Sequence, residues 1–172
     1  MPSIVDSTTE KDVNFVNKVY AKRRGISMCS ENVNIEFLML ADRAEVLNGK
    51  LYMMGGGYDR RTINDLKAPV TLTMIVGILV PWTLTNRPHT VKLRMDTEDG
   101  NIVGQEVQGE LTVGRSPQAI SGQPFRVITV VNFTATLPSL GAFRIVATLD
   151  NGESKSTTFY AVSAQTPAQQ AG

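Results

Sequence analysis

Thr90-Val91-Lys92-Leu93-Arg94-Met95-Asp96 alternates apolar and polar side chains. Successive side chains of a β-strand point to opposite faces, so Val91, Leu93 and Met95 turn toward a core while Lys92, Arg94 and Asp96 turn out. The same period recurs downstream, with Phe143, Ile145, Ala147 and Leu149 opposite Arg144 and Thr148. Phe125, Val127, Thr129, Val131, Phe133 and Ala135 line one side of the longest such run, and these three runs are expected to supply most of the core. Upstream, Val70 to Val80 is apolar on both parities, the mark of a central strand covered on both sides. Further runs at Ile35 to Ala41, Lys50 to Gly55, Ile102 to Val113 and Ser156 to Val162 bring the strands to about eight, as in a β-sandwich or barrel. Asn48-Gly49, Asp99-Gly100 and Asn151-Gly152 are dipeptides that tolerate positive φ and mark tight hairpins.

Before Asn34 the texture differs. Ser7 with Glu10 has capping-box spacing, Lys22, Arg23 and Arg24 precede Gly25, and Val13, Val16 and Tyr20 share a face with Phe15 and Val19 beside them. This pattern predicts an amphipathic helix whose stripe packs either on its own domain or on a neighbouring chain; residues 26 to 34 read as a polar connector. Ser163 to Gly172, with no apolar spacing, reads as a flexible extension. The expected organisation is a helical arm and connector at 1–34, a β domain at 35–162 and a tail at 163–172.

A chain of 172 residues is long enough for one domain that needs no disulfide or metal. With one Cys (Cys29) and one His (His89), it lacks the nitrogen and sulfur ligands of a zinc site, and no cofactor is expected. Charged residues make up 19% of the chain and the net charge is +1, so the exposed faces are neutral. Basic groups at Lys18, Lys22, Arg23, Arg24, Arg60 and Arg61 form only small clusters, and residues 35–172 carry 12 basic and 12 acidic side chains, which argues against nucleic acid as a partner. No apolar run reaches the roughly 20 residues of a membrane span, and Met1 to Asp6 does not resemble a signal peptide, so the expected location is the cytoplasm or a virion assembled there.

Other motifs read as structure. Gly55-Gly56-Gly57 lacks the helix N-terminus of a phosphate loop and reads as a strand crossing. Asp96 to Asn101 misses the spacing of a calcium loop and reads as a hairpin turn. His89 has no nucleophile-elbow partner and reads as a strand start; Cys29 reads as a free thiol, and Glu106 with Glu110 as ordinary surface carboxylates. No catalytic residue is assigned.

Leu40-Ala41-Asp42-Arg43-Ala44-Glu45-Val46 running through Asn48-Gly49-Lys50-Leu51-Tyr52 to the Gly triplet, Val80-Pro81-Trp82 before Arg87-Pro88-His89, and Leu137-Pro138-Ser139-Leu140-Gly141-Ala142-Phe143-Arg144 into Asp150-Asn151-Gly152 carry a resemblance. Residues 35–162 resemble an uncharacterised family of bacterial and phage-encoded proteins. The resemblance implies a mainly β, immunoglobulin-like antiparallel β-sandwich and no catalytic residues. The functional expectation is a non-enzymatic structural or interaction module, an assembly or decoration component of a larger particle such as a phage capsid, with itself or another protein as partner and with Val13, Val16, Val19, Tyr20, Arg23 and Arg24 making the contact. The alternative is a small-ligand or glycan-binding module using Tyr52, Tyr58 and Trp82 as an aromatic platform.

Overall fold

The computed structural model describes residues 31–164. The predicted helix with Val13, Val16, Val19, Tyr20, Arg23 and Arg24, and Cys29, lie outside the described residues. The described part is mainly β, with ten strands. They are β1 (Asn34–Ala41), β2 (Arg43–Leu47), β3 (Lys50–Met54), β4 (Arg60–Ile63), β5 (Val70–Val80), β6 (Pro88–Thr97), β7 (Ile102–Thr112), β8 (Phe125–Ala135), β9 (Gly141–Leu149) and β10 (Ser154–Ser163). All eight expected strands are present, and β2 and β4 are added to them.

The strands form a three-stranded sheet in the order β1-β5-β8, a five-stranded sheet in the order β4-β10-β9-β6-β7, and a separate two-stranded sheet of β2 and β3. One apolar cluster joins the first two, with Leu38, Met74, Val76 and Phe133 on one side and Leu93, Met95, Ile145 and Phe159 on the other. The pairings are antiparallel except that β4 runs parallel to β10, a correction to the antiparallel expectation. After the glycine crossing, the chain enters this sheet edge in the direction of β10, and Tyr160 N–H donates to the Asp59 carbonyl at 2.6 Å.

β5 is the centre of its sheet, with Met74, Ile75, Val76, Ile78 and Val80 all at 0% exposure. It supplies more of the core than β8, in which only Phe133 and Ala135 are buried, and this corrects the expected ranking. Its outer face is covered in part by the neighbouring edge strand. Gly77 stands opposite Phe37, and the Phe37 ring occupies the space that a Cβ on Gly77 would need.

Asp96 also departs from expectation, because it is buried despite its outward parity. Arg94, two residues earlier on the same face, sets its Nε 3.0 and 3.1 Å from the two carboxylate oxygens, and Arg144 stands opposite on β9. The Arg94 guanidinium donates to Oδ2, while Oδ1 is enclosed near the end of β6 without a hydrogen bond of its own, so ion pairing is what offsets the buried charge.

The expected turns hold. Asn48 and Gly49 both have left-handed φ, 50° and 73°, as a two-residue type I′ hairpin requires. The β6–β7 and β9–β10 turns repeat one pattern: Thr97 and Leu149 each donate N–H four residues on, to Asn101 and Glu153, and each accepts from the glycine at the third position, Gly100 and Gly152.

Across the outer face, Arg126 of β8 donates through Nε and Nη2 to both carboxylate oxygens of Glu36 on β1. This holds the Glu36 carboxyl below the usual range. A depressed carboxyl contributes stability that is present above its unfolded pKa and is lost as pH falls through the folded value. Glu36→Gln is therefore expected to lower stability slightly at neutral pH, the pair being solvent-screened, with the gap from wild type closing in acid. Urea denaturation across a pH series checks this; a gap that widens in acid overturns it.

Candidate functional site

β2 and β3 pair with each other in the register Arg43↔Met54, Ala44↔Met53, Glu45↔Tyr52, Val46↔Leu51 and Leu47↔Lys50, and with no other strand. Alternation places Ala44, Val46, Leu51 and Met53 on one face and Leu47, Tyr52 and Met54 among charged neighbours on the other. Of the eleven exposed large hydrophobic residues in the described part, five sit on this hairpin: Met54 (71%), Leu47 and Tyr52 (51% each), Met53 (46%) and Val46 (36%). A cleft of about 290 Å³ lies against it, lined by Arg43, Ala44, Glu45, Tyr52, Met53 and Met54. Lone two-stranded hairpins are marginal in water, and clustered exposed apolar side chains mark contact surfaces. Flexible methionines suit a surface that adapts to its partner.

The base of the hairpin is fixed to the body. Asp42 N–H donates to the Met54 carbonyl at 3.1 Å, and Gly57 N–H donates to the Leu40 carbonyl at 2.8 Å. Gly55, at φ +58°, passes so close to Asp42 that a Cβ would lie 2.1 Å from its Oδ2. The glycine triplet is thus the crossing where the hairpin rejoins the body, and it needs no ligand to account for it. The buried Thr73 hydroxyl lies 3.3 Å from the Asp42 carbonyl and 3.0 Å from Asn132 Oδ1, serving one at a time with its single proton.

The three aromatics of the expected platform occupy different settings. Tyr52 lines the hairpin cleft. Tyr58 is half-buried against the core, its hydroxyl enclosed without a hydrogen-bond partner, and burial pushes its phenol above the usual range against the opposing pull of Arg61. Trp82 opens a single 3-10 turn, Trp82–Leu84, and stacks on Phe125 with ring centres 5.9 Å apart. The Arg115 guanidinium stands 4.6 Å from the centre of the same ring and donates from Nη2 to the Trp82 carbonyl at 2.9 Å. The indole is engaged within its own chain.

His89 is buried at the start of β6. Its Nε2 lies 2.9 Å from the Leu84 carbonyl, which can only accept, so Nε2 carries the proton. Nδ1 is 3.7 Å from Asp150 Oδ2 at a cleft of about 250 Å³; Asp150 N–H donates to the Thr90 carbonyl, and Thr90 N–H donates to Asp150 Oδ2. The pair ties the β9–β10 turn to the 3-10 turn. Among the described residues, no group of three or more His, Cys, Asp or Glu side chains is placed to hold a metal ion.

The exposed β2 face was missed from sequence, although the signal was there. A type I′ turn at Asn48-Gly49 needs a strand on each side, and Arg43 to Leu47 supplies the first.

Residues 36–162 match a family described as "Family of unknown function (DUF6941)". No curated protein matches the chain.

Proposed function

We propose a role for a chain that belongs to this family of unknown function: a non-enzymatic structural or interaction module, serving as an assembly or decoration component of a larger particle such as a phage capsid. In this reading the domain is an immunoglobulin-like β-sandwich of bacterial or phage origin. Support for the sandwich comes from a three-stranded and a five-stranded sheet closing over one core. The phage comparison is fold-level analogy.

The observation that carries the proposal is the concentration of exposed Leu47, Tyr52, Met53 and Met54 on a hairpin that pairs with nothing else. The stripe of Val13, Val16, Val19 and Tyr20, with Arg23 and Arg24, is the proposed second contact, on its sequence pattern alone. The test is solution mass by light scattering over a range of concentrations. Wild type is expected above the 18.8 kDa of one chain, and the triple variant Leu47→Thr, Met53→Thr, Met54→Thr is expected to fall in mass while keeping its melting temperature. Val13→Ser, Val16→Ser, Tyr20→Ser tests the second contact in the same way. A mass of one chain at every concentration overturns the reading.

A second reading, a glycan or small-ligand module, rests on Tyr52 in the hairpin cleft. It has less support, because Trp82 is already engaged by Phe125 and Arg115. Titrating a glycan panel against intrinsic fluorescence tests it, and a flat response removes it.

A further inference from the structure

Three turns place glycine directly after Asn or Asp: Asn48-Gly49 between β2 and β3, Asp99-Gly100 between β6 and β7, and Asn151-Gly152 between β9 and β10. Each pair can react within its own backbone. The glycine nitrogen attacks the side-chain Cγ of the residue before it and closes a five-membered succinimide ring; with no Cβ on glycine, the approach is open. Every other asparagine among the described residues precedes a residue that carries a side chain. Selection among the three turns depends on whether the attacking nitrogen, and the group under attack, are already engaged.

In two of the turns they are. Gly152 N–H donates to the Leu149 carbonyl at 3.0 Å, and Gly100 N–H donates to the Thr97 carbonyl at 2.9 Å. The Asn151 amide is held as well: Nδ2 donates to the Val33 carbonyl at 2.7 Å, and Oδ1 accepts from Glu153 N–H at 3.0 Å. Ring closure at Asn151 must first break all of these bonds.

Asn48-Gly49 carries none of these restraints. Among the described residues, no hydrogen bond engages the Asn48 side chain or the Gly49 N–H. Both residues are exposed, and the space beside Gly49 is open. The turn also closes the one hairpin that pairs with no other described strand, and its body attachments lie at the opposite end, through Asp42 and Gly57. The tip of such a hairpin opens most readily, which gives the glycine nitrogen the freedom to reach Cγ.

We propose that Asn48 is a site of intramolecular deamidation, and that the reaction changes the exposed hairpin as the protein ages. The Gly49 nitrogen bonds to Asn48 Cγ and gives its proton to solvent base; the bond from Cγ to the side-chain nitrogen breaks, and that nitrogen leaves as ammonia. Water then opens the succinimide at either carbonyl, leaving aspartate or isoaspartate at this position. Either product puts a carboxylate at the tip in place of a neutral amide. Isoaspartate also adds a carbon to the backbone, which a two-residue type I′ turn cannot absorb in register. The chemistry stands by itself; its consequence, loss of the hairpin contact, rests on the assembly reading.

The test incubates the full chain in mildly alkaline buffer, folded and in urea, and follows tryptic peptides 44–50 and 145–155 by mass spectrometry. Deamidation appears as a gain of one mass unit, and methylation by an isoaspartyl methyltransferase identifies the isoaspartate product. In the folded protein, peptide 44–50 is expected to convert at least about tenfold faster than 145–155, and in urea the two rates converge. Equal rates in the folded protein, a faster rate at Asn151, or a ratio unchanged by urea each overturn the proposal. Light scattering reads the consequence: aged wild type is expected to fall in mass, while Asn48→Gly, which tolerates the positive φ and has no amide to lose, keeps its mass. Fully converted protein that keeps its mass overturns the consequence. A wild type of one chain mass from the outset overturns the assembly reading and leaves the deamidation to be decided by the peptide rates.

Discussion

Phe159→Ala is expected to lower the melting temperature by roughly 10 °C, from a loss of about 3–5 kcal/mol. Phe159 is 0% exposed, at the middle of β10. It stands directly opposite Phe143 on β9, with ring centres 6.2 Å apart and planes tilted by 38°. Truncation removes a whole ring from the cluster that both large sheets share, and strands on either side cannot collapse into the space without breaking their ladders. The neighbouring Tyr160 points to the opposite face and is 41% exposed, so Tyr160→Ala is expected to change stability by no more than about 0.5 kcal/mol. Thermal and urea unfolding of the two variants side by side provide the check. Equal effects would mean that β10 does not present its faces as described.

Gly77→Val is expected to cost about 1–3 kcal/mol although it adds an apolar, strand-favouring side chain to the most buried strand. The Phe37 ring lies across Gly77, and a Cβ there would fall 2.2 Å from Phe37 Cε1. Such cover of a strand glycine by a cross-strand aromatic shields the exposed backbone and pins the register. Valine would force Phe37 off the sheet face. The cycle with Phe37→Ala separates this cause from a general intolerance, because the double variant should be less unstable than the sum of the single losses by about 1 kcal/mol or more. Strict additivity would sink the account.

Gly77 also shows where sequence reading ran short. Val70 to Val80 reads correctly as central, since apolar residues fall on both parities. What lies over the second parity depends on β1, which is more than thirty residues away in sequence, and only pairing brings Phe37 there. Asp96 is similar: its outward parity is legible, but its burial is decided where β6 is laid between β7 and β9, with Arg94 beside it as its ion-pair partner. At the candidate site, Tyr52 and the Asn48-Gly49 turn were legible, while the exposed methionines were not. A run such as Lys50 to Met54 looks like any half-buried strand until it is known that four of its five residues are exposed. Trp82 looked available for a ligand because neither Phe125 nor Arg115 is near it in sequence.

The sequence by itself determined that this protein is mainly β, where its principal strands run, which side chains of each strand face a core, and where the hairpins turn. Those features are local, since period-two alternation and the positive φ tolerated by Asn-Gly pairs act within a few residues. Tertiary structure alone decided that β4 joins β10 in parallel, that β2 and β3 pair only with each other among the described strands, and that β8 lies at the edge of its sheet. These depend on partners distant along the chain, and a strand's own residues specify its faces far more strongly than the neighbour that will take up its free N–H and C=O groups.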